Sequence, residues 1–242
     1  MTRLLASVAN IEEAHLAFES GVDIIDLKNP AAGALGAVPH ATVTAVVGMV
    51  NGACRISATL GDLPMQPEVL CKAVLELSAT WVDFIKVGIF PSPEQRECIA
   101  ALKNAADAAF LIGVLFADHQ PGLAVLEDFS HAGFAGVMLD TADKTAGGLR
   151  AHLSDAQLRA FVERARALEL FVGLAGSLAM DDVAPLMAIN PDYLGFRGAL
   201  CDQSDRKLGI VPERILTIRR AMDACPGMNA NGIGRASRSA RV

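Results

Sequence analysis

Five charged residues of the chain have types and spacing that suit chemistry on a carbonyl group. They are Asp26, Lys28, Lys86, Asp140 and Lys144. Asp26 and Lys28 are two residues apart in an apolar run, so in a β-strand their side chains point to the same side. Lys86 lies at the end of a second apolar run. Asp140 ends a third, and Lys144 follows it by four residues in a predicted loop. These positions predict that all five side chains meet at one end of the fold.

Three lysines beside two aspartates predict Schiff-base or enolate chemistry. A lysine that is crowded by other cations and partly removed from water has a lowered pKa, and its neutral amine can attack an aldehyde or ketone. Asp26 and Asp140 can orient these amines and transfer protons. The alternative is a structural ion-pair network that closes one end of the fold. Three mutually repelling lysines weaken that alternative, because their charge must be balanced by an anionic group.

Glycine and arginine near the carboxyl ends of the last two predicted strands indicate a phosphate site. The candidates are Gly176, Ser177, Arg197 and Gly198. Glycine lets backbone N–H groups approach a ligand, and an arginine can bind two phosphate oxygens at once. We therefore expect a small phosphorylated substrate as the binding partner. The glycines are also compatible with tight turns alone.

Four further residues are weaker candidates. Ser57 and Thr59 lie on the predicted inward face of the third strand, where they bind a substrate hydroxyl or fill space. Asp118 and His119 follow the fifth strand, so His119 is a candidate for proton transfer, although a lone loop histidine is more often a surface residue. The histidines and cysteines lack metal-ligand spacing, and we expect neither a metal nor a cofactor.

Short apolar runs alternate with amphipathic segments along the chain, which is typical of a parallel sheet covered by helices. The eight predicted strands are 4–8, 23–28, 55–59, 82–87, 110–116, 136–140, 170–175 and 193–197. The eight predicted helices are 11–20, 41–51, 67–80, 93–106, 122–132, 154–168, 181–189 and 212–224. Asn10, Ser92 and Ser154 each precede a first turn that contains Glu, Asp or Gln, as helix-capping residues do.

Eight strand and helix repeats with short connections predict an α/β protein with a (β/α)8 TIM-barrel fold. An open doubly wound sheet is the alternative, but no G-x-G-x-x-G motif follows the first strand. In a TIM barrel the active site lies at the carboxyl ends of the strands. The candidate residues fall at those ends, so the predicted fold brings them together.

Length and composition restrict the kind of protein. The 242 residues fit a barrel of roughly 250, and we expect a single catalytic domain over residues 1–225 with a disordered tail over 226–242. No apolar run approaches the ~18 residues of a membrane span, and no secretory signal is recognisable, so we expect a cytoplasmic protein without membrane contacts. A net charge of −6 argues against nucleic-acid binding. The sequence leaves a homo-oligomer open.

A set of short sequence blocks resembles the (5-formylfuran-3-yl)methyl phosphate synthase family. The blocks are DIIDLKNP with GALG, ISATLGD, DFIKVG, MLDTAxK, LAGS and FRGA, and the resemblance extends over residues 4–224. Each block lies at a different predicted strand end, which makes the resemblance specific. It implies condensation of two glyceraldehyde 3-phosphate molecules into 4-(hydroxymethyl)-2-furancarboxaldehyde phosphate, with loss of one phosphate and water. That product is a precursor of methanofuran-type one-carbon cofactors.

The resemblance also implies roles for individual residues. Lys28 matches the family's Schiff-base lysine, and Lys86 matches its proton-accepting lysine. Asp26 matches the acid that supports the first lysine. Asp140 and Lys144 match an acid and a lysine that come later in the family's sequence. The implied enzyme is a Schiff-base lyase that needs no cofactor.

Two features depart from the family, and two other functions remain open. Asp143 directly precedes Lys144, where it can hold that lysine charged, and the tail after residue 224 has no counterpart. One other function is a class I aldolase-like enzyme that releases an ordinary aldol product of triose phosphates. The other is a barrel that binds a phosphorylated metabolite without catalysis. The paired carboxylates argue against simple binding, which needs only positive charge.

Overall fold

Eight parallel strands close into a barrel in the computed structural model, which describes residues 1–106 and 109–225. Each strand pairs with its neighbours in chain order, and the eighth pairs with the first. The strands are β1 (Arg3–Val8), β2 (Ile24–Leu27), β3 (Arg55–Thr59), β4 (Phe84–Gly88), β5 (Phe110–Phe116), β6 (Gly136–Asp140), β7 (Phe171–Leu174) and β8 (Tyr193–Phe196). The predicted TIM-barrel fold is confirmed, and three strands have the predicted bounds.

Helical segments connect the strands and cover the outside of the barrel. The α-helices are α1 (Ile11–Glu19), α2 (His40–Val50), α3 (Pro67–Ser78), α4 (Gln95–Ala101), α5 (Val125–His131), α6 (Leu149–His152), α7 (Asp155–Ala167), α8 (Val183–Met187) and α9 (Pro212–Asp223). Short 3-10 turns occupy Leu102–Asn104, Ala117–His119, Met180–Asp182, Gly198–Leu200 and Asp202–Ser204. All eight predicted helices contain observed helix, and α6 is an additional short helix that the sequence pattern missed.

Two of the three predicted helix caps are confirmed. The Asn10 side chain accepts from the N–H of Glu13, and Ser154 forms a reciprocal capping box with Gln157. The prediction for Ser92 is wrong, because α4 begins at Gln95 rather than at residue 93. The Ser92 hydroxyl instead hydrogen-bonds Glu94, whose N–H it accepts at 3.2 Å. A local turn thus replaces the expected first helical turn.

The barrel has an inner and an outer apolar layer. Ile25, Leu27 and other outward-facing strand residues pack beneath the helices. Ile24, Met138 and Tyr193 belong to a smaller cluster inside the barrel. The predicted alternation along β2 is therefore correct, and it leaves the side chain of Asp26 on the inner face.

Strand register brings polar side chains to one level inside the barrel. Asp26 of β2 lies beside Ser7 of β1 on one side and Ser57 of β3 on the other. Thr59 is the last residue of β3 and pairs with Lys86 of β4. This register places Lys86 near the carboxyl ends of the strands, and because directly paired residues of parallel strands point to the same face, the two side chains share one face.

The described helices include none long and apolar enough to cross a membrane. The tail that we expect to be disordered, residues 226–242, lies outside the described residues. The division of the chain at residue 225 therefore stays a prediction.

The outer layer generates a stability prediction at Phe129. This side chain is fully buried, and a Cβ at Gly113 would lie 2.4 Å from its ring, so the ring packs directly on β5. Phe129→Ala should lower the free energy of unfolding by roughly 3–5 kcal/mol, because it leaves a cavity between helix and sheet. Urea unfolding measures the loss. Leu75→Ala, at a 56% exposed position, is the control and should change little; equal effects of the two substitutions would contradict this packing.

Candidate active site

Two buried lysine–aspartate pairs lie at the mouth of the barrel. Lys86 Nζ is 2.8 Å from Asp26 Oδ1, and Lys28 Nζ is 2.9 Å from Asp140 Oδ2. All four residues are less than one-tenth exposed. Removing one member of such a pair from a buried site leaves an uncompensated charge, so each pair constrains both of its members.

Asp26 is the centre of a hydrogen-bond network that spans three strands. Ser7 Oγ donates to Asp26 Oδ2 at 2.7 Å, and Ser57 Oγ donates to Asp26 Oδ1 at 2.6 Å. Burial alone would raise the pKa of the Asp26 carboxyl, but the charges of Lys86 and Lys28 outweigh burial and hold this pKa below its ordinary value. Asp26 is therefore a fixed carboxylate that orients the Lys86 ammonium.

The pKa of Lys86 is lowered, as predicted. Burial contributes most, and Asp26 opposes it; the charge of Lys28 adds a smaller lowering. The sequence predicts a lowered lysine pKa from two causes, crowding by other cations and partial removal from water. Lys144 contacts Asp140, on the other side of the mouth. A buried amine with a lowered pKa can lose its proton and then accept one from a substrate.

Asp140 joins the other two lysines. Its Oδ2 accepts from Lys28, while its Oδ1 accepts from Lys144 and from the N–H of Thr141. Burial opposes ionisation of Asp140, but Lys28 and Lys144 hold its pKa far below the ordinary range. Burial also lowers the pKa of Lys144, against the attraction of Asp140. One carboxylate thus serves two amines.

The pairing of acids and lysines differs from the prediction. We expected Asp26 to support Lys28, because the two share a strand face, but Asp140 is the partner of Lys28 across the barrel. Asp26 lies within β2 and Lys28 follows its last residue, and their side chains reach different partners, Lys86 and Asp140. Asp143 also departs from its predicted role: it is exposed, and its carboxylate accepts from Thr145 rather than from Lys144.

The loop after β7 has the backbone geometry of an anion site. Gly176 has φ 106° and Ser177 has φ 48°, both in the left-handed region, and both residues line the cavity. Their N–H groups have no acceptor among the described residues. Gly198, after β8, lines the same cavity. Neighbouring N–H groups that are free in a turn can bind an anion, so this loop stays a candidate phosphate site beside Gly198.

Arg197 does not have the geometry that we expected for binding phosphate. Its guanidinium forms a bidentate ion pair with Glu13 and also donates to the carbonyls of Ser7, Arg206 and Leu208. These contacts use all five of its N–H donors. Arg197 borders the cavity, but in this structure it ties the loop after β8 to β1 and α1.

Of the four weaker candidates, Ser57 contacts a residue of the cavity, and the other three are not among the cavity-lining residues. Ser57 belongs to the Asp26 network, whereas the Thr59 hydroxyl donates to Gly36 O at 3.0 Å and fixes the loop after β2. Asp118 accepts the N–H groups of residues 142 and 143 and so holds the loop that carries Lys144. His119 is exposed beside the edge of an aromatic ring and is not among the cavity-lining residues. Asp118 therefore positions the loop that carries Lys144, and His119 has no visible role in the cavity.

The site contains residues that the sequence did not indicate. Ser7 could have been found, because it lies two residues after buried Leu5 and therefore on the same inner face of β1. Arg206 and Arg214 line the cavity from the loop after β8 and from α9. No periodic pattern marks Arg206, since its position depends on how that loop folds back over the barrel.

The lysines and the phosphate loops open into one cavity of about 510 Å³. This volume is within the roughly 300–1,000 Å³ typical of small-molecule sites. Among the described residues, no cluster of His, Cys, Asp and Glu side chains is arranged to hold a metal ion. The arrangement can bind an anionic carbonyl compound, attack it with an amine and move protons around it.

Comparisons with known proteins point to one family. The model of the family described as 4-HFC-P synthase matches residues 4–219. A protein of Methylorubrum extorquens, provisionally named (5-formylfuran-3-yl)methyl phosphate synthase, is 41% identical over 94% of each chain. The (5-formylfuran-3-yl)methyl phosphate synthase of Methanopyrus kandleri is 33% identical over 88% of this chain and 95% of its own. Phosphoribosyl anthranilate isomerase from Thermus thermophilus shares the fold, with a TM-score of 0.66, 14% identity and coverage of 92% and 99%.

The charge of Asp140 should make stability depend on pH. Its folded-state pKa lies below the ordinary value of 3.8, so its contribution is present above that value and is lost as the pH falls below it. Asp140→Asn should lower the free energy of unfolding at pH 7 by roughly 3–5 kcal/mol, because two buried ammonium groups lose their partner. Urea unfolding across a pH series should also show a shallower acid decline than in the wild type. Exposed Asp181→Asn is the control, and parallel pH curves for wild type and Asp140→Asn would contradict the ion-pair geometry.

Proposed function

The chain belongs to the 4-HFC-P synthase family, and on that premise we propose that it condenses two molecules of glyceraldehyde 3-phosphate into 4-(hydroxymethyl)-2-furancarboxaldehyde phosphate. The names of its relatives are those of an enzyme. The observation that carries the proposal is the buried pair of lysine–aspartate contacts beside the phosphate loops. The product would be a precursor of methanofuran-type cofactors.

In the proposed mechanism Lys28 is the nucleophile. Its amine attacks the aldehyde carbon of one triose phosphate, and the carbinolamine loses water to form an imine. The Lys144 ammonium lies on the same carboxylate as Lys28 and has a pKa lowered by burial, so it can protonate the departing hydroxyl. Asp140 remains ionised and stabilises the positive imine. This assigns to Asp140 and Lys144 the support that we first expected from Asp26.

Lys86 is the proposed base. As a neutral amine it removes a proton from the carbon next to the imine, and the resulting enamine attacks the aldehyde of the second triose phosphate. Asp26 holds the Lys86 amine in place through the 2.8 Å contact. Ring closure and elimination build the furan, and hydrolysis of the imine frees Lys28. Counting the water lost in imine formation and the water consumed in its hydrolysis, the whole reaction releases one inorganic phosphate and two waters, which balances two triose phosphates against one furan phosphate. The backbone N–H groups of Gly176 and Ser177 bind a substrate phosphate.

Covalent trapping should identify the nucleophile. Borohydride reduction in the presence of glyceraldehyde 3-phosphate should add the mass of one triose phosphate less one oxygen atom to the peptide that contains Lys28. Lys28→Arg should abolish the adduct, because a guanidinium stays protonated and forms no imine. Lys86→Arg should lose turnover by about 100-fold or more yet retain the adduct, since proton abstraction follows imine formation.

Mass spectrometry after proteolysis locates the adduct, and furan absorbance reports the product. An adduct on Lys86 that persists in Lys28→Arg would invert the assignment of the two lysines. An ordinary aldol product without furan absorbance would favour the class I aldolase alternative. Phosphate binding without any adduct or product would favour a non-catalytic barrel.

The pH dependence of kcat/KM should report Lys86. The base must be neutral, so activity should rise with pH through its lowered pKa. Asp26 raises that pKa, and Asp26→Asn should therefore move the acid limb to lower pH by about one unit or more, whatever its effect on the maximal rate. Ser57→Ala keeps the carboxylate and serves as the control. An acid limb that stays in place in Asp26→Asn would show that another group controls it.

A further inference from the structure

The cavity carries two guanidinium groups that the lysine–aspartate pairs do not use. Arg206 lies in the loop after β8, and Arg214 lies in the first turns of α9. Neither forms an ion pair with a carboxylate within residues 1–106 and 109–225. Arg214 Nη1 donates to Ser204 Oγ at 3.1 Å, and Ser204 lines the cavity as well. The β8 side of the mouth therefore has uncompensated positive charge.

The Nε atom of Arg206 is buried and has no hydrogen-bond partner among the described residues. A buried donor without a partner costs free energy, so its persistence indicates a group that it binds. Burial lowers the pKa of the Arg206 guanidinium, and the charge of Asp140 opposes that lowering. Arg206, Asp140 and Lys144 line the same cavity, so the guanidinium lies at the mouth that holds the lysine–aspartate pairs.

A backbone bridge and the side chain of Arg197 hold the loop that carries Arg206 in place. An antiparallel bridge between Cys201 and Ile210 closes its base. Arg197 donates to the carbonyls of Arg206 and Leu208, and its other contacts anchor it to Glu13 and to β1. A loop held at two carbonyls presents its side chains at defined positions. Arg197 thus acts as a positioning residue, and Arg206 is left with a guanidinium that lines the cavity.

We propose that Arg206 and Arg214, with Ser204, form a second phosphate-ester subsite that binds the phosphate of the second triose phosphate. This inference rests on the proposed function, in which two phosphate esters occupy the cavity together. In this proposal the N–H groups of Gly176 and Ser177 bind one phosphate, and the negative charge of the other phosphate still needs a positively charged partner. The guanidinium groups of Arg206 and Arg214 line the same cavity and supply the missing positive charge, because arginine binds phosphate oxygens in a bidentate manner. Asp205 also lines the cavity, but its carboxylate accepts from the N–H of Lys207.

Calorimetric titration tests the subsite independently of catalysis. Inorganic phosphate and glycerol 3-phosphate, a phosphate ester without an aldehyde, are the two probes. The wild-type chain should bind two equivalents of either probe, and Arg206→Gln should bind only one with unchanged affinity. Lys207→Gln removes the same charge from an exposed position in the same loop and should behave as the wild type. Arg214→Gln is the second variant, and it should weaken the same binding event.

Kinetics link the subsite to the reaction. Arg206→Gln should still form the borohydride adduct at Lys28, while the concentration of glyceraldehyde 3-phosphate needed for half-maximal furan formation rises about tenfold or more. Unchanged phosphate stoichiometry and affinity in both arginine variants would overturn the proposal. Binding of inorganic phosphate but not of glycerol 3-phosphate at this position would also overturn it, in favour of a product-phosphate site. Two phosphates on the wild type without any furan product would support the subsite and refute the proposed function.

Discussion

The need to pair buried lysine and aspartate charges governs one side of the mouth of this barrel. Lys28, Lys86, Asp26 and Asp140 are buried and Lys144 is partly buried, and breaking a buried ion pair is strongly destabilising. The closed barrel meets this need by directing residues of different strands to a common level. The serines of β1 and β3 fix one carboxylate, and the loop after β6 brings a second lysine to the other.

The two carboxylates create different environments for their lysines. Asp26 holds a single lysine at full burial, where the cost of desolvation lowers the pKa of Lys86 and favours a base. Asp140 pairs with both Lys28 and Lys144, so in the proposed mechanism the nucleophile and the proton donor share one anion. The two carboxylates would then keep proton abstraction and imine formation at separate lysines.

Much of the fold and part of the site could be predicted from the sequence. Period-two alternation in β2 places Ile25 outward and Asp26 inward, and this signal is local. The partner of Lys28 could not be predicted, because it depends on the stagger of strands on opposite sides of the barrel. The pairing of Arg197 with Glu13 could not be predicted either, because the two residues are distant in sequence. The position of Arg206 could not be predicted because it depends on an irregular loop rather than on a repeating element.

A double-mutant cycle measures most directly whether the two pairs are separate. The free energy of unfolding would be compared for Asp26→Asn, Lys86→Met, Lys28→Met and the two combinations that contain Asp26→Asn. The structure predicts a large coupling energy between Asp26 and Lys86, on the order of 1–3 kcal/mol, and a clearly smaller one between Asp26 and Lys28. A coupling of Asp26 to Lys28 that equals or exceeds its coupling to Lys86 would contradict the account of two separate lysine–aspartate pairs.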